Sequence, residues 1–181
     1  MKISNSTGLT AEILENGAVG WFDAAPVMIS LRRASVYSGA YAGVWLRIRG
    51  DKMMFRPLTG PGSCSRFRAD GDSFYASGTW EGIAYECCLN LSGKSLSWEW
   101  RIALRNGSGR DVELDLVCMQ DAGLKTSSSD PANEYYVSQY TERRILDDPA
   151  HGKVVLCRQN MQESGGNPWL MIASGGRAAS A

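Results

Sequence analysis

The chain of 181 residues carries 19 basic and 19 acidic side chains, a formal net charge of zero. That balance supplies no basic field, which argues against nucleic acid or an anionic membrane as the main partner. No stretch approaches the roughly 20 apolar residues of a membrane-spanning helix. The opening MKISNSTGLTAEILENG lacks the apolar run of a signal peptide.

An apolar fraction of 44% over this length fits one domain, 1–181, large enough for an all-β sandwich. Leu9 to Phe22 is glycine-punctuated and reads as an opening hairpin. Val27 to Tyr37 (VMISLRRASVY) reads as a strand carrying Arg32 and Arg33. Tyr41 to Leu58 reads as two strands turned at Gly50-Asp51, a turn signal between β-rich runs.

The middle of the chain has the clearest strand pattern. Ser73 to Trp80 leads into Gly82 to Leu91, where Ile83, Tyr85, Cys87, Leu89 and Leu91 alternate onto one face. Ser92-Gly93-Lys94 turns the chain into Ser95 to Leu104, where Leu96, Trp98, Trp100, Ile102 and Leu104 share a face. Asn106-Gly107-Ser108-Gly109 turns it again, and Val112, Leu114, Leu116 and Cys118 alternate with acidic residues. Period-2 runs joined by short glycine turns predict an antiparallel meander of these last three strands. With no long 3.6-residue periodicity, the fold class is all-β, an antiparallel sandwich of two packed sheets.

After Asp121 the pattern changes. Gly123 to Ala132 (GLKTSSSDPA) is polar and serine-rich and reads as a mobile loop. Asn133, Glu134, Tyr135, Tyr136, Ser138, Gln139 and Tyr140 form a dense polar-aromatic segment, followed by a charged turn through Asp147-Asp148-Pro149 and His151-Gly152. Lys153 to Gln159 is a strand ending in Arg158, Gln159 and Asn160, and Trp169 to Ala173 is another. Tyrosine and glutamine together offer flat apolar faces with hydroxyl and amide groups, which suits a sugar or a partner surface. The competing reading is a connection whose tyrosines lie flat on the sandwich. No closing strand follows Ala173, so the domain reads as truncated at its C-terminus.

Catalytic chemistry is sparse. His151 is the single histidine, set in a turn, and there is no nucleophile elbow or nucleotide-binding glycine loop. Glu81 with Glu86, or Asp121 with Glu134, could pair as glycosidase carboxylates, but 19 acidic residues supply such pairs by chance. No catalytic residue and no cofactor is therefore assigned. The five cysteines lack metal-ligand spacing, and adjacent Cys87 and Cys88 point to opposite strand faces, so no metal is assigned. Reduced, buried thiols of a cytoplasmic protein are the expectation. Two asparagines in glycosylation context, Asn5 and Asn106, read as chance matches.

Of the six tryptophans, Trp98 and Trp100 stand at core spacing. Trp80 and Trp169 sit beside turns and are freer to stack on a sugar. Three stretches carry a family resemblance: TWEGIAYECCLNLS, LDLVCMQDAGL, and above all NEYYVSQYTERRIL with GKVVLCRQNMQESGGNPWLM. Together they resemble the N-terminal domain of 1,2-β-oligoglucan phosphorylases of glycoside hydrolase family 94, relatives of cellobiose phosphorylases and cyclic β-1,2-glucan synthases. The resemblance implies a galactose-mutarotase-like supersandwich, followed in the parent by a helical linker, an (α/α)6 barrel and a C-terminal piece. The parent reaction would be inverting phosphorolysis of a β-1,2-glucan with phosphate, releasing α-glucose 1-phosphate. The catalytic acid and the phosphate site belong to the barrel, so no position here inherits them.

What the resemblance implies for Asn133 to Tyr140 and Arg158 to Asn160 is a position near a homodimer interface or substrate entrance. The leading expectation is a non-catalytic domain that supports its own barrel. An independent carbohydrate-binding module is the alternative. A mutarotase-type epimerase is less favoured, since it needs a histidine-rich acid/base site.

Overall fold

The computed structural model describes residues 1–38, 41–127 and 134–175. All-β architecture is borne out: the strands are antiparallel and form several sheets around one core. The subdivision is finer than two packed sheets.

The first sheet has the order β1-β2-β3-β4-β12. It comprises β1 (Lys2–Ser4), β2 (Leu9–Ile13), β3 (Val19–Ala24), β4 (Val27–Met28) and β12 (Lys125–Thr126). The predicted opening hairpin is β2–β3. The predicted strand over Val27 to Tyr37 shrinks to two residues, because the backbone beyond them bonds elsewhere. Leu31 and Arg32 donate their amides to the Asp121 carboxylate at 2.8 and 3.0 Å, and the Ala34 amide reaches Gly20. Likewise, the start of the predicted loop 123–132 is ordered. Lys125 is buried and donates Nζ to the Leu31 carbonyl at 3.1 Å, and its strand pairs with β4.

The second sheet, β10-β9-β8-β7, contains β7 (Arg66–Asp70), β8 (Ser73–Trp80), β9 (Ile83–Leu91) and β10 (Trp98–Asn106). Its β8–β9 hairpin turns on Glu81 and Gly82 alone, at φ 50° and 78°. Two successive positive-φ residues match the twist of the flanking strands. The alternation read in β9 is real: Ile83, Tyr85, Cys87, Leu89 and Leu91 are all buried. Trp98 and Trp100 pack partly against the core, with Trp98 stacked on Phe22 at 4.7 Å between centroids. Leu96, expected on the same face, precedes the strand and is exposed.

The third sheet, β11-β5-β6, corrects the predicted meander. It contains β5 (Ala42–Ile48), β6 (Met54–Pro57) and β11 (Leu114–Gln120). β11 leaves β10 and pairs with β5, where Asp115 lies opposite Arg47. Arg47 and Arg49 both reach the Asp115 carboxylate, at 2.5 and 2.6 Å, and Arg49 also meets Glu113 at 3.3 Å. Opposite charges directly across a strand pair favour that neighbour, and alternation alone cannot report it.

The fourth sheet is β13-β14-β15: β13 (Thr141–Asp148), β14 (Gly152–Gln159) and β15 (Trp169–Ala173). The charged turn predicted over 147–152 is the β13–β14 turn, tightened to 149–151, and the strand that leads into it is the element the sequence did not predict. His151 stands in that turn with Nδ1 2.8 Å from Asp148 Oδ1, and this contact holds the Asp148 carboxyl below its usual range.

The core draws on the first three sheets, with Phe22, Phe74, Leu46, Leu58, Ile83 and Leu89 among its fully buried side chains. Cys157 of β14 joins it, and Val155 and Leu170 pack alongside. Glu163 ties the fourth sheet to the first by accepting from the Thr126 amide at 2.7 Å and the Thr126 hydroxyl. All five cysteines are free thiols. Only Cys87 and Cys157 are buried, whereas Cys64 and Cys118 are exposed, contrary to expectation. Burial pushes the Cys87 thiol up to about 12, so it stays protonated and inert.

Candidate interaction surface

Most of the polar-aromatic segment folds as a single helical turn-and-a-half, α1 (Glu134–Gln139), rather than the loop expected from its composition. Asn133 lies outside the described residues. Glu134 and Tyr135 open the helix. Tyr136 and Tyr140 are both exposed and stand four residues apart, which brings them to one side of the turn. Their rings meet edge to face at 5.0 Å, and Tyr140 donates its hydroxyl to that of Tyr136 at 3.2 Å. Gln139 is exposed and Ser138 half-buried.

The end of β14 comes up beside this helix. The Asn160 amide donates to the Tyr140 carbonyl at 2.9 Å, leaving the Asn160 side chain exposed. Arg158 is half-buried with its guanidinium over the Trp169 ring, 5.1 Å from the centroid. Tyr136, Tyr140, Arg158, Asn160 and Trp169 therefore share one end of the fourth sheet.

Two expected contact residues do not belong to this surface. Gln159 is fully buried. Its Nε2 donates to the carbonyls of Gly123 and Val137 at 3.0 and 3.3 Å, and its Oε1 accepts from the Met161 amide at 3.0 Å. A strand-end glutamine thus serves the seam between α1, β14 and the segment before β12, buried out of reach of a sugar hydroxyl. Trp80 belongs to another sheet, packs partly on the core, and has Arg56 5.7 Å over its ring. Neither tryptophan presents a bare stacking platform, because each carries an arginine on its ring.

The sequence reading missed the exposed face that adjoins these residues, on which apolar side chains stand among Glu142, Arg144 and Arg158. Register pairs Glu142 with Arg158 and Trp169, Arg144 with Leu156 and Met171, and Leu146 with Val154 and Ala173. Paired residues share a face, so these three rows lie together, opposite the face that carries Cys157 to the core. Trp169, Met171 and Leu146 are 55%, 49% and 44% exposed. A sheet face that keeps a Trp, a Met and a Leu in water is unusual enough to mark a contact site. Its signal in the sequence was Leu146 inside a charged run, together with Met171 two residues after Trp169.

Among the described residues no cluster of three metal-binding side chains occurs, and no helix is long and apolar enough to cross a membrane. Cavities are shallow. One of about 280 Å³ lies over Tyr75, Glu86, Cys88 and Arg101 on the outer face of the second sheet.

Comparison with known proteins gives two matches. A family model described as the SOGP N-terminal domain covers residues 12–181. A 1,2-beta-oligoglucan phosphorylase of Listeria innocua serovar 6a is 23% identical over 177 residues, 96% of this chain. The matched part is 15% of that relative, so the chain spans a small fraction of its length.

Proposed function

This chain belongs to the SOGP N-terminal domain family, and from that premise we propose that it is the non-catalytic N-terminal domain of a β-1,2-glucan (sophoro-oligosaccharide) phosphorylase. In this reading residues 1–181 form part of a galactose-mutarotase-like supersandwich in a cytoplasmic enzyme. The domain supports the (α/α)6 barrel, contributes to homodimer contacts, and borders the substrate entrance through α1. Glucan and phosphate are handled by the barrel, and this chain alone turns over neither.

The observation that carries the reading is the outer face of β13–β15, where Trp169, Met171 and Leu146 stand in water. A face of this kind is what a sheet shows when its natural cover belongs to another part of the same protein. A sugar-binding module would instead present a concave polar face with an open aromatic ring.

Two results follow for the isolated chain. Trp169→Ser combined with Met171→Ser changes stability by less than about 1 kcal/mol, since both side chains are half in water and lose little packing. The same double variant lowers binding of a hydrophobic dye. A stability loss of several kcal/mol in chemical denaturation would make this face part of the domain's own core, and would remove the docking role. Calorimetric titration with sophoro-oligosaccharides, against cello-oligosaccharides as control, gives no selective heat at millimolar sugar. Selective binding that Trp169→Ala abolishes would turn the assignment to a carbohydrate-binding module.

A further inference from the structure

We propose that β10 is a self-pairing edge, through which two copies of this chain join their four-stranded sheets across a two-fold axis. β10 ends the second sheet and runs nine residues without a bulge or a proline, and its charged residues, Glu99, Arg101 and Arg105, are of both signs and lie on one face. Edge strands of that length are normally shortened, bent or charged against association. The opposite edge, β7, follows that rule by being only five residues long.

Hydrogen-bond parity says which backbone groups β10 offers. Ser92 donates to Ser97 and Gly107 donates to Gly82, so odd-numbered residues of β10 face β9. In an antiparallel ladder the alternate residues point the other way. The amides and carbonyls of Trp98, Trp100, Ile102, Leu104 and Asn106 therefore line the free edge. Among the described residues, no backbone hydrogen bond joins them to another strand.

Charge then selects one register. An antiparallel pair of identical strands that uses these groups can be centred on Arg101, Ile102 or Ala103. Centring on Arg101 sets that arginine against its own copy, and centring on Ala103 sets Arg101 against Arg105, both repulsive. Centring on Ile102 sets Glu99 against Arg105 twice and Arg101 against Ala103. On the inner face it sets Trp100 against Leu104 twice and Ile102 against itself. Those inner side chains are only half-buried now, and the pairing would carry the core across the axis. Glu99 already bonds Arg101 within its own strand, so both groups are held at the rim where the partner's Arg105 would arrive.

The occupant is thus a second copy of this chain. The inference deepens the dimer role in the reading above and rests on it for its use, though the contact is contained in this chain. Sedimentation velocity from micromolar to millimolar concentration tests it. The unaltered chain forms a concentration-dependent dimer. Glu99→Arg alone and Arg105→Glu alone each weaken it roughly tenfold or more, because each places two like-charged pairs across the axis. An equimolar mixture of the two single variants associates again, since every cross-axis pair in the mixed dimer is then opposite in charge.

Thermal melting of each variant at high dilution checks that the fold is kept. A chain that stays monomeric throughout, or a dimer that the single reversals leave unchanged, overturns the proposal. Either failure leaves the outer face of β13–β15 and its dye test untouched. Failure of that test in turn leaves the β10 result standing.

Discussion

Gln159→Leu lowers stability by about 3 kcal/mol, the largest effect expected of any residue first considered for the binding surface. Leucine nearly preserves the volume, so the loss comes from polar groups. The substitution leaves the Gly123 carbonyl, the Val137 carbonyl and the Met161 amide without their side-chain partner. A deserted buried group costs about 1–3 kcal/mol; the Val137 carbonyl keeps the Tyr140 amide at 3.2 Å and solvent partly rescues Met161, so the Gly123 carbonyl carries most of the loss.

Gln159→Glu separates this account from simple packing. An ionised carboxylate can still accept from Met161 but faces two carbonyl oxygens, so its loss at neutral pH exceeds that of leucine. It recovers on acidification, when the carboxyl can donate. Chemical denaturation of the three proteins at two pH values measures both. Hydrogen exchange adds a local readout, since the Tyr140 amide on the Val137 carbonyl should open first when α1 loses its latch. A loss below about 1 kcal/mol for Gln159→Leu would return Gln159 to the surface role its position first suggested.

What the sequence disclosed and what it hid divide along a physical line. The β2–β3, β5–β6 and β8–β9 hairpins were legible because turn chemistry and period-2 patterning act locally, and both are written in adjacent residues. The partner of β11 was not, because alternation reports the face of a strand and says nothing of its neighbour. The deciding groups, Arg47 and Asp115, are 68 residues apart.

β13 was hidden for the opposite reason. Arg143, Arg144, Ile145, Leu146 and Asp147 are exposed one after another, so the strand has no buried side to print a period. β12 was hidden because a buried lysine defies the rule that polar means outside. At the candidate surface, composition singled out Tyr136, Tyr140, Arg158, Asn160 and Trp169, and the structure brings them to one sheet end. Composition could not tell Gln159 from them, since an amide reads the same whether its partners are sugar hydroxyls or carbonyls of the chain itself.

Asp121 gives the second large effect, a stability that falls as pH rises. Burial raises its carboxyl to about 6, only partly opposed by hydrogen bonds from the amides of Arg32 and Leu31 and from the Ser30 side chain. A carboxyl whose folded value stands above its unfolded value of 3.8 holds its proton more tightly when folded. Its contribution to stability is then complete below about pH 4 and is lost as pH climbs through about 6, with no further change above. A shift of this size is worth on the order of 3 kcal/mol across the window.

Other carboxylates bend the total curve the other way, Asp115 among them, whose carboxyl its bonds to Arg49 and Arg47 hold below the usual range. The informative quantity is therefore the difference between the native chain and Asp121→Asn. The amide keeps an oxygen for the Leu31 and Arg32 amides but cannot ionise, so any fixed cost it adds is the same at every pH. Denaturation from pH 3.5 to 7 should show the native chain losing about 3 kcal/mol relative to the variant, nearly all of it between pH 4 and 6. A difference that stays flat would mean that Asp121 titrates as a solvated carboxylate. The amides of the 31–32 segment would then be bonding an anion at no electrostatic cost, and the clasp that replaces the predicted strand would be stabilising at every pH.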